Sequence, residues 1–172
     1  MPLMKKRLIS GVVIILFSII LVALILNSFS AKPKPMTQEE READQTVLVY
    51  YETLRNVTVP DQTGHIVQLF TNDAVVTAPD GKIYSGAEEI KSFYEDRVRN
   101  VFQYDIKADL SEVTVSDGTA TVVYHTKSIA WIPGWSSTTI NPPIRVLLEK
   151  FLLVRKQGVW KIAALVIQGE QS

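Results

Sequence analysis

An unbroken run of uncharged, mostly hydrophobic positions stands near the start of the chain. It extends from Leu8 to Leu26, and the basic segment Lys5–Arg7 comes immediately before it. A helix of these 19 residues, rising 1.5 Å per residue, is about 28 Å long, close to the roughly 30 Å hydrocarbon core of a bilayer. The pattern predicts a single transmembrane anchor within residues 1–26.

The basic residues give the expected orientation of this anchor. Because positive charge tends to stay on the cytoplasmic side, we expect the N-terminus inside the cytoplasmic membrane and the rest of the chain outside. A cleaved signal peptide is the alternative, since Ser28–Ala31 offers small residues near a possible cut, but secretory apolar regions usually span only about 7–15 residues. Residues 27–36 contain Pro33 and Pro35 and are predicted to be a short extended linker.

Helical periodicity begins at Thr37. Thr37 and Glu40 have the spacing of a capping box, in which each residue satisfies a backbone N–H of the other. The pattern predicts a helix from Thr37 to about Asn56, and a second, shorter helix over His65–Phe70. The predicted apolar face of the first helix consists of Ala43, Val47, Tyr50, Tyr51 and Leu54.

The stretch Leu69–Tyr94 combines several turn and helix signals. It predicts a strand over Ala74–Thr77 and a turn at Pro79–Gly81. A helix is then predicted to begin at Ser85, because Ser85 and Glu88 again have capping-box spacing. The predicted apolar face of this helix consists of Ile90, Phe93, Tyr94 and Val98.

Strand patterns fill the rest of the chain. A change in the phase of alternation predicts a bulge near Ser111, and Asp117-Gly118 and Gln157-Gly158 predict tight turns. The last strand is apolar on nearly both faces, which predicts either a central position in the sheet or a dimer interface. The predicted strands are Ile106–Val115, Thr119–Ile132, Ile144–Arg155 and Val159–Gln168, with a long connection over Pro133–Pro143.

This order of elements, with Leu69–Tyr94 at its centre, resembles the SnoaL-like branch of the nuclear transport factor 2-like superfamily. The resemblance covers about Thr37 to Gln168. It implies an α+β fold, in which a cone-shaped domain of three helices packs on a curved, mostly antiparallel sheet, here behind a single transmembrane helix. Residues 37–172 are one domain by size. The fold implies no particular activity, because it hosts enzymes, binding proteins and scaffolds.

The resemblance also implies a homodimer that forms through the sheet. The apolar pattern on both faces of Val159–Gln168 agrees with such an interface. Sedimentation of the isolated domain at tens of micromolar tests this expectation, and a monomer would count against it.

Composition excludes several classes of function. Removing the three leader bases leaves 15 basic residues in residues 27–172, against 18 acidic residues, which all lie after residue 36, so the balance over residues 27–172 is near −3. A general nucleic-acid surface would need a basic face instead. The absence of cysteine excludes disulfides and thiolate catalysis. Two distant histidines and the lack of phosphate-binding or dinucleotide motifs predict neither a metal site nor a cofactor.

The ketosteroid isomerase branch of the superfamily offers the most specific comparison for catalysis. By resemblance, its base would stand at Ala78, just before Pro79, and its two proton donors at Tyr50 and near Leu147. Ala78 and Leu147 carry no titratable group, so only Tyr50 remains of the three. We therefore do not expect enolisation by that mechanism, and we expect Tyr50 to be a core residue with a satisfied hydroxyl.

His125 is the other weak catalytic candidate, because histidine is a natural general base near neutral pH. The opposite face of its strand, with Tyr124, is better suited to the core, so we expect His125 on the surface or in a subunit contact, with a pocket as the alternative. Asp73 and Asp80 stand at predicted turns and are expected to satisfy backbone amides. No catalytic residue is assigned.

Two tryptophans, Trp131 and Trp135, flank a Pro-Gly break. One hypothesis places this loop in the lipid headgroup region, where tryptophan is favoured. The alternative is that both indoles close the mouth of the cone. Trp135 fluorescence separates the two, since emission unchanged by lipid vesicles would contradict the first.

Two functions from different classes agree with these patterns. The first is a membrane-tethered, non-catalytic module that binds or assembles with a protein partner or an apolar small molecule. The second is a SnoaL-like isomerase, cyclase or hydrolase that acts on a hydrophobic small molecule. Under either hypothesis the expected pocket-lining residues are Tyr50, Tyr51, Phe70, Tyr84, Phe93, Tyr124 and Trp131.

Overall fold

The structure is a computed structural model and describes residues 35–57, 62–99, 103–131 and 144–169. The predicted anchor over residues 8–26 and the predicted connection over residues 133–143 lie outside these ranges. Within them, no helix combines the length and the apolar character needed to cross a bilayer. The elements described below all belong to the compact unit Thr37–Ser172.

The described residues form three helices and a single six-stranded sheet. The strand order is β2-β1-β6-β5-β4-β3; β1 and β6 are parallel and all other neighbours are antiparallel. This α+β arrangement of helices on a curved mixed sheet confirms the predicted fold class of the domain, while the predicted transmembrane helix stays a prediction. In chain order the elements are α1 (Gln38–Asn56), α2 (Gly64–Val67), β1 (Phe70–Thr77), β2 (Ile83–Ser85), α3 (Gly86–Val98), β3 (Gln103–Ser116), β4 (Thr119–Trp131), β5 (Ile144–Lys156) and β6 (Val159–Gly169).

The first helix begins as the sequence predicts. The Thr37 hydroxyl accepts the Glu40 N–H at 3.2 Å, and the Glu40 carboxylate accepts the Thr37 N–H at 2.6 Å, which completes the capping box. Its five predicted apolar residues are all buried. They hold α1 against the inner face of the sheet.

The second helix is shorter than the predicted His65–Phe70. It ends at Val67, and Phe70 already belongs to β1. Phe70 pairs with Ile162 in the sheet, and the neighbouring Leu69 carbonyl accepts the Ile162 N–H at 2.9 Å. Pairing with β6 therefore takes the backbone groups that a longer helix would have used.

The third helix has the predicted apolar face, but its predicted capping box is wrong. The Ser85 side chain makes no capping hydrogen bond, and the Ser85 N–H donates to the Glu89 carboxylate at 2.8 Å rather than to Glu88. Gly86 has a φ of 78°, a left-handed conformation that glycine adopts at low cost. Ser85 is still the N-cap residue of the helix, but with this turn after it the acid that its N–H meets is Glu89.

The two predicted hairpin turns are present. At Asp117-Gly118 the φ angles are 49° and 72°, and at Gln157-Gly158 they are 51° and 82°. Left-handed backbone at both central positions is typical of a type I′ turn, whose twist matches that of the strands. These turns fix the register of β3 on β4 and of β5 on β6.

The predicted bulge and the predicted central strand are also confirmed. The pairing of β3 with β4 shifts between Leu110 and Glu112, which leaves Ser111 as the extra residue. The last strand, β6, lies between β1 and β5. Its interior position by itself accounts for the apolar pattern on both faces. The pattern therefore does not require a dimer interface, and the homodimer stays a prediction.

The core lies between the inner face of the sheet, α1 and α3. Along β5 the inward positions alternate with outward ones, so Leu147, Phe151 and Leu153 are buried while Leu152 is 41% exposed. Glu149 shares the inward register and is buried with them. The strand β5 therefore contributes side chains to the core and, through its first residues, to the rim of a pocket.

Candidate functional site

A pocket of about 480 Å³ opens between α3, the start of β5 and the β1–β2 turn. Three elements that are distant in sequence meet there, because α3 packs on β1 and the antiparallel pairing of β5 brings its first residues to the same end of the sheet. The described residues that line the pocket are Ala78, Pro79, Asp80, Tyr84, Phe93, Asp96, Arg97, Arg145 and Leu147.

The walls of the pocket are apolar and aromatic. The rings of Tyr84 and Phe93 lie 4.8 Å apart between centroids, and Leu147 covers the inner end with a side chain that is only 5% exposed. Phe93 belongs to the buried face of α3, while Tyr84 stands on the short edge strand β2. These surfaces favour the rings or alkyl chains of a ligand.

Charged side chains border the same pocket. The Arg97 guanidinium lies over the Phe93 ring at 5.2 Å, and Arg145 stands on β5 two residues before Leu147, in the inward register. Asp96 forms an ion pair with Arg99 at 3.3 Å. The pocket therefore combines an apolar interior with polar groups at its edge.

Deeper in the cone, aromatic side chains fill the space. Tyr50 is fully buried, and its ring lies 5.2 Å from Tyr51, 5.3 Å from Phe151 and 6.2 Å from Tyr94. The Tyr94 hydroxyl donates a hydrogen bond to the Tyr50 hydroxyl at 3.0 Å. Burial raises the pKa of both phenols well above its ordinary value of 10.0, so both remain neutral.

Glu149 is a buried carboxyl group within this cluster. Its side chain is 4% exposed, and its Oε2 accepts a hydrogen bond from the Tyr51 hydroxyl at 2.7 Å. Burial raises the pKa of Glu149 above its ordinary value of 4.5, although the Tyr51 hydrogen bond and the nearby Arg97 charge lower it in part. The core therefore holds a buried carboxyl group that binds its proton more tightly than a carboxyl group in water does.

A second phenol-carboxylate pair lies beside the first. Tyr124 is directly opposite Glu149 in the pairing of β4 with β5. The Tyr124 hydroxyl donates to the carboxylate of Asp44 on α1. Burial and this hydrogen bond raise the pKa of Tyr124 above its ordinary value of 10.0. Polar contacts thus tie α1 to two adjacent strands.

The structure divides the residues that we expected to line a pocket. Tyr84 and Phe93 line the pocket at the open end, whereas Tyr50, Tyr51 and Tyr124 lie in the packed core. Phe70 is 5% exposed and borders a second pocket, of about 550 Å³, near β1 and β6. Trp131 ends β4, and its side chain is outside the described part of the chain, as is Trp135.

The weak catalytic candidates do not meet. Tyr50 is buried and bonded to Tyr94, while His125 is exposed on the outward register of β4. Asp80 accepts the Lys82 N–H at 3.0 Å, as expected of a turn residue. Asp73 is exposed and lies within β1 rather than at a turn before the strand, because β1 starts at Phe70.

Glu149 is the residue that sequence reasoning missed. Comparison with the isomerase branch placed the late-strand donor near Leu147, and Glu149 follows two residues later on the same face. The available signal was the alternation itself, since Glu149 is the acid in an inward series of apolar positions, Leu147, Phe151 and Leu153. In the described ranges, no three His, Asp or Glu side chains are grouped closely enough to hold a metal ion.

Comparison with known proteins identifies the fold. No family model matches the chain, and no curated protein matches it at a significant level. Many solved structures are similar. A ketosteroid isomerase-like protein from Erwinia carotovora atroseptica SCRI1043 has a TM-score of 0.65 and 19% identity, and the match covers 80% of this chain and 100% of that chain.

Two further structures agree with the first. A nuclear transport factor 2-like family protein from Streptomyces avermitilis has a TM-score of 0.64 and 14% identity, over 78% of this chain and 97% of that chain. An uncharacterised protein with a cystatin-like fold from Caulobacter vibrioides has a TM-score of 0.57 and 20% identity, over 77% and 91%. The domain has the cystatin-like cone fold. Sequence identities this low establish the fold but no activity. The chemistry of the site has to be inferred from its own residues.

Proposed function

We propose that this cystatin-like cone domain is a binding module for a small, largely apolar molecule, and that residues 8–26 hold it at a membrane. The observation that carries the proposal is the pocket of about 480 Å³ with walls made by Tyr84, Phe93 and Leu147. Ligand pockets of about 300–1,000 Å³ with mostly apolar walls and a few polar groups are typical of small-molecule sites.

Binding without chemistry agrees best with the placement of the two catalytic candidates, Tyr50 and His125. A general base has to lie within hydrogen-bond reach of the substrate. Tyr50 is fully buried in the core and His125 is exposed on the outward face of the sheet. Neither group lines the pocket.

An enzyme acting on a hydrophobic small molecule is the second candidate, and Glu149 favours it. A buried carboxyl group with a raised pKa is a candidate proton donor, and similar structures include a ketosteroid isomerase-like protein. Glu149 is the next inward residue after Leu147 on β5, but it is buried and does not line the pocket, so a ligand could reach it only after side chains of the core rearrange. The binding module needs no such rearrangement.

Truncation of one pocket wall should weaken ligand binding. In the full chain, replacing Tyr84 with alanine removes an aromatic surface, and we expect the affinity for the neutral fluorescent probe N-phenyl-1-naphthylamine to fall about tenfold, equivalent to about 1.4 kcal/mol. The matched control is Ile83→Ala on the same strand, because Ile83 is 60% exposed and does not line the pocket. Equal affinities of both variants and the unchanged protein would reject this pocket as the site.

Charges placed in the apolar leader should release the full chain from membranes. We expect the unchanged protein in the carbonate-washed membrane pellet and the double variant Ile15→Arg/Ile19→Arg in the soluble fraction, since an arginine at the centre of a span costs roughly 2.5–3.5 kcal/mol. Ile15→Leu/Ile19→Leu is the control and should stay in the pellet. A mature protein whose N-terminus lies after residue 26 would instead establish the cleaved signal peptide.

A further inference from the structure

Two arginines line the proposed pocket from different elements of the fold. Arg97 lies in the last turn of α3, and Arg145 lies at the start of β5. Both line the pocket, as do the apolar side chains of Phe93 and Leu147. Each arginine thus stands next to an apolar wall residue of its own element.

The two guanidinium groups are placed differently. The Arg97 guanidinium lies over the Phe93 ring at 5.2 Å, a cation–π contact that holds the cation at the pocket wall. Its charge also lowers the pKa of Glu149 in part, so its positive field extends toward the inside of the cone. Arg145 is exposed, and it takes part in no ion pair with any described residue.

The acids of the pocket already have donors of their own. Asp80 accepts the Lys82 N–H at 3.0 Å, and Asp96 pairs with Arg99 at 3.3 Å. They still contribute negative charge, so the pocket has two cations and two carboxylates among its described residues. This balance suits a ligand with one negative charge better than a ligand with two.

We propose that the ligand is an amphiphile with a single carboxylate, and that Arg97 and Arg145 bind this carboxylate while Tyr84, Phe93 and Leu147 bind the apolar body. Arginine is suited to this role, because its planar fork of N–H donors matches the two oxygens of a carboxylate. The inference rests on the proposed function, since it names the class of ligand for the same pocket.

The test is displacement of bound N-phenyl-1-naphthylamine from the full chain by two matched ligands, dodecanoate and dodecan-1-ol. Their alkyl chains are identical, so a difference between them reports the headgroup. We expect dodecanoate to displace the probe at a concentration about tenfold lower than dodecan-1-ol does. Arg97→Gln and Arg145→Gln should each reduce this preference, and the double variant should abolish it.

The matched control is Lys107→Gln, which removes one positive charge from the edge strand β3, away from the pocket, and should keep the full preference. The probe is uncharged, so the double arginine variant should still bind it. Retained probe binding would show that the pocket of this variant is folded. Arg97→Lys keeps the charge without the fork and should retain only part of the preference.

The outcomes separate the two proposals. Equal displacement by the acid and the alcohol, unchanged in the double arginine variant, overturns the carboxylate assignment and leaves the apolar pocket standing. Stronger displacement by dodecyl phosphate than by dodecanoate overturns it in favour of a phosphate headgroup. If the unchanged protein does not bind the neutral probe at all, both proposals fail.

Discussion

Replacing Glu149 with glutamine should stabilise the domain at neutral pH and leave its stability unchanged near pH 4. The folded protein raises the pKa of Glu149 above 4.5 by burial. Glutamine keeps an acceptor for the Tyr51 hydroxyl and a neutral donor in place of the acid proton. It therefore resembles the protonated side chain at every pH.

The sign of the pH effect follows from proton linkage. Below pH 4.5 the carboxyl is protonated both in the folded protein and in the unfolded chain, so the raised pKa has its full stabilising contribution there. As the pH rises toward the folded pKa, the unfolded chain releases a proton that the folded protein retains. The free energy of unfolding therefore falls through this window and then levels off.

The measurement is thermal and urea unfolding of the unchanged protein and Glu149→Gln between pH 4 and pH 8. We expect the two to coincide at pH 4 and to diverge as the pH rises, by about 1.4 kcal/mol for each unit of pKa elevation. A difference of 1 kcal/mol shifts the melting temperature by roughly 2–8 °C in domains of this size range. Glu52→Gln, an exposed change on α1, is the control and should follow the unchanged protein.

Tyr51→Phe should change the pH dependence of stability in the opposite direction to Glu149→Gln. It removes the hydrogen bond that lowers the pKa of Glu149, so the pH dependence should become steeper. It also leaves a buried acceptor unsatisfied, which costs about 1–3 kcal/mol. If Glu149→Gln instead destabilises the domain equally at all pH values, Glu149 is ionised in the folded state and paired with a cation.

Local signals explain the parts of the fold that the sequence predicts well. The Thr37–Glu40 capping box and the turns at Asp117-Gly118 and Gln157-Gly158 each depend on a few neighbouring residues. The buried face of α1 depends only on helical spacing. These features need no knowledge of distant contacts.

Tertiary contacts decide the parts that differ. The segment His65–Phe70 has helical spacing, but Phe70 pairs with Ile162, which is more than ninety residues away in sequence. At Ser85 the capping-box spacing is present and Ser85 is the N-cap residue, but with a left-handed Gly86 after it the capping-box hydrogen bonds do not form. Neither the strand pairing nor the φ angle of a glycine is specified by the local pattern.

The candidate site shows the same division. Alternation places Arg145, Leu147 and Glu149 on one face of β5, and this much can be read from the sequence. The sequence does not show that Leu147 lines an open pocket while Glu149 lies in the closed core. It also cannot show which of two adjacent inward tyrosines, Tyr50 or Tyr51, meets the carboxyl.

Truncation of Tyr50 to alanine should have the largest effect on stability of any change considered. Tyr50 is fully buried, and its ring contacts the rings of Tyr51, Phe70, Tyr94 and Phe151 edge to face. Replacing a large buried aromatic residue with alanine costs about 3–5 kcal/mol. Since folded domains are stable by only about 5–15 kcal/mol, we expect a large fall in the urea midpoint.

Tyr50→Phe separates the hydroxyl from the ring. It leaves the Tyr94 hydroxyl without its acceptor at 3.0 Å, and an unsatisfied buried hydroxyl costs about 1–3 kcal/mol. The double variant Tyr50→Phe/Tyr94→Phe removes both polar groups together. We therefore expect it to be no less stable than Tyr50→Phe alone, and the double-mutant cycle to give a coupling energy of about 1 kcal/mol.

Ligand binding distinguishes this structural role of Tyr50 from a catalytic one. Tyr50 is buried in the core and does not line the pocket, so Tyr50→Phe should bind N-phenyl-1-naphthylamine and dodecanoate as the unchanged protein does. A catalytic role of Tyr50 predicts the reverse for Tyr50→Phe, namely unchanged stability and altered ligand binding. That result would mean that the ligand displaces Leu147 and enters the aromatic cluster, and it would move the enzyme hypothesis ahead of the binding module.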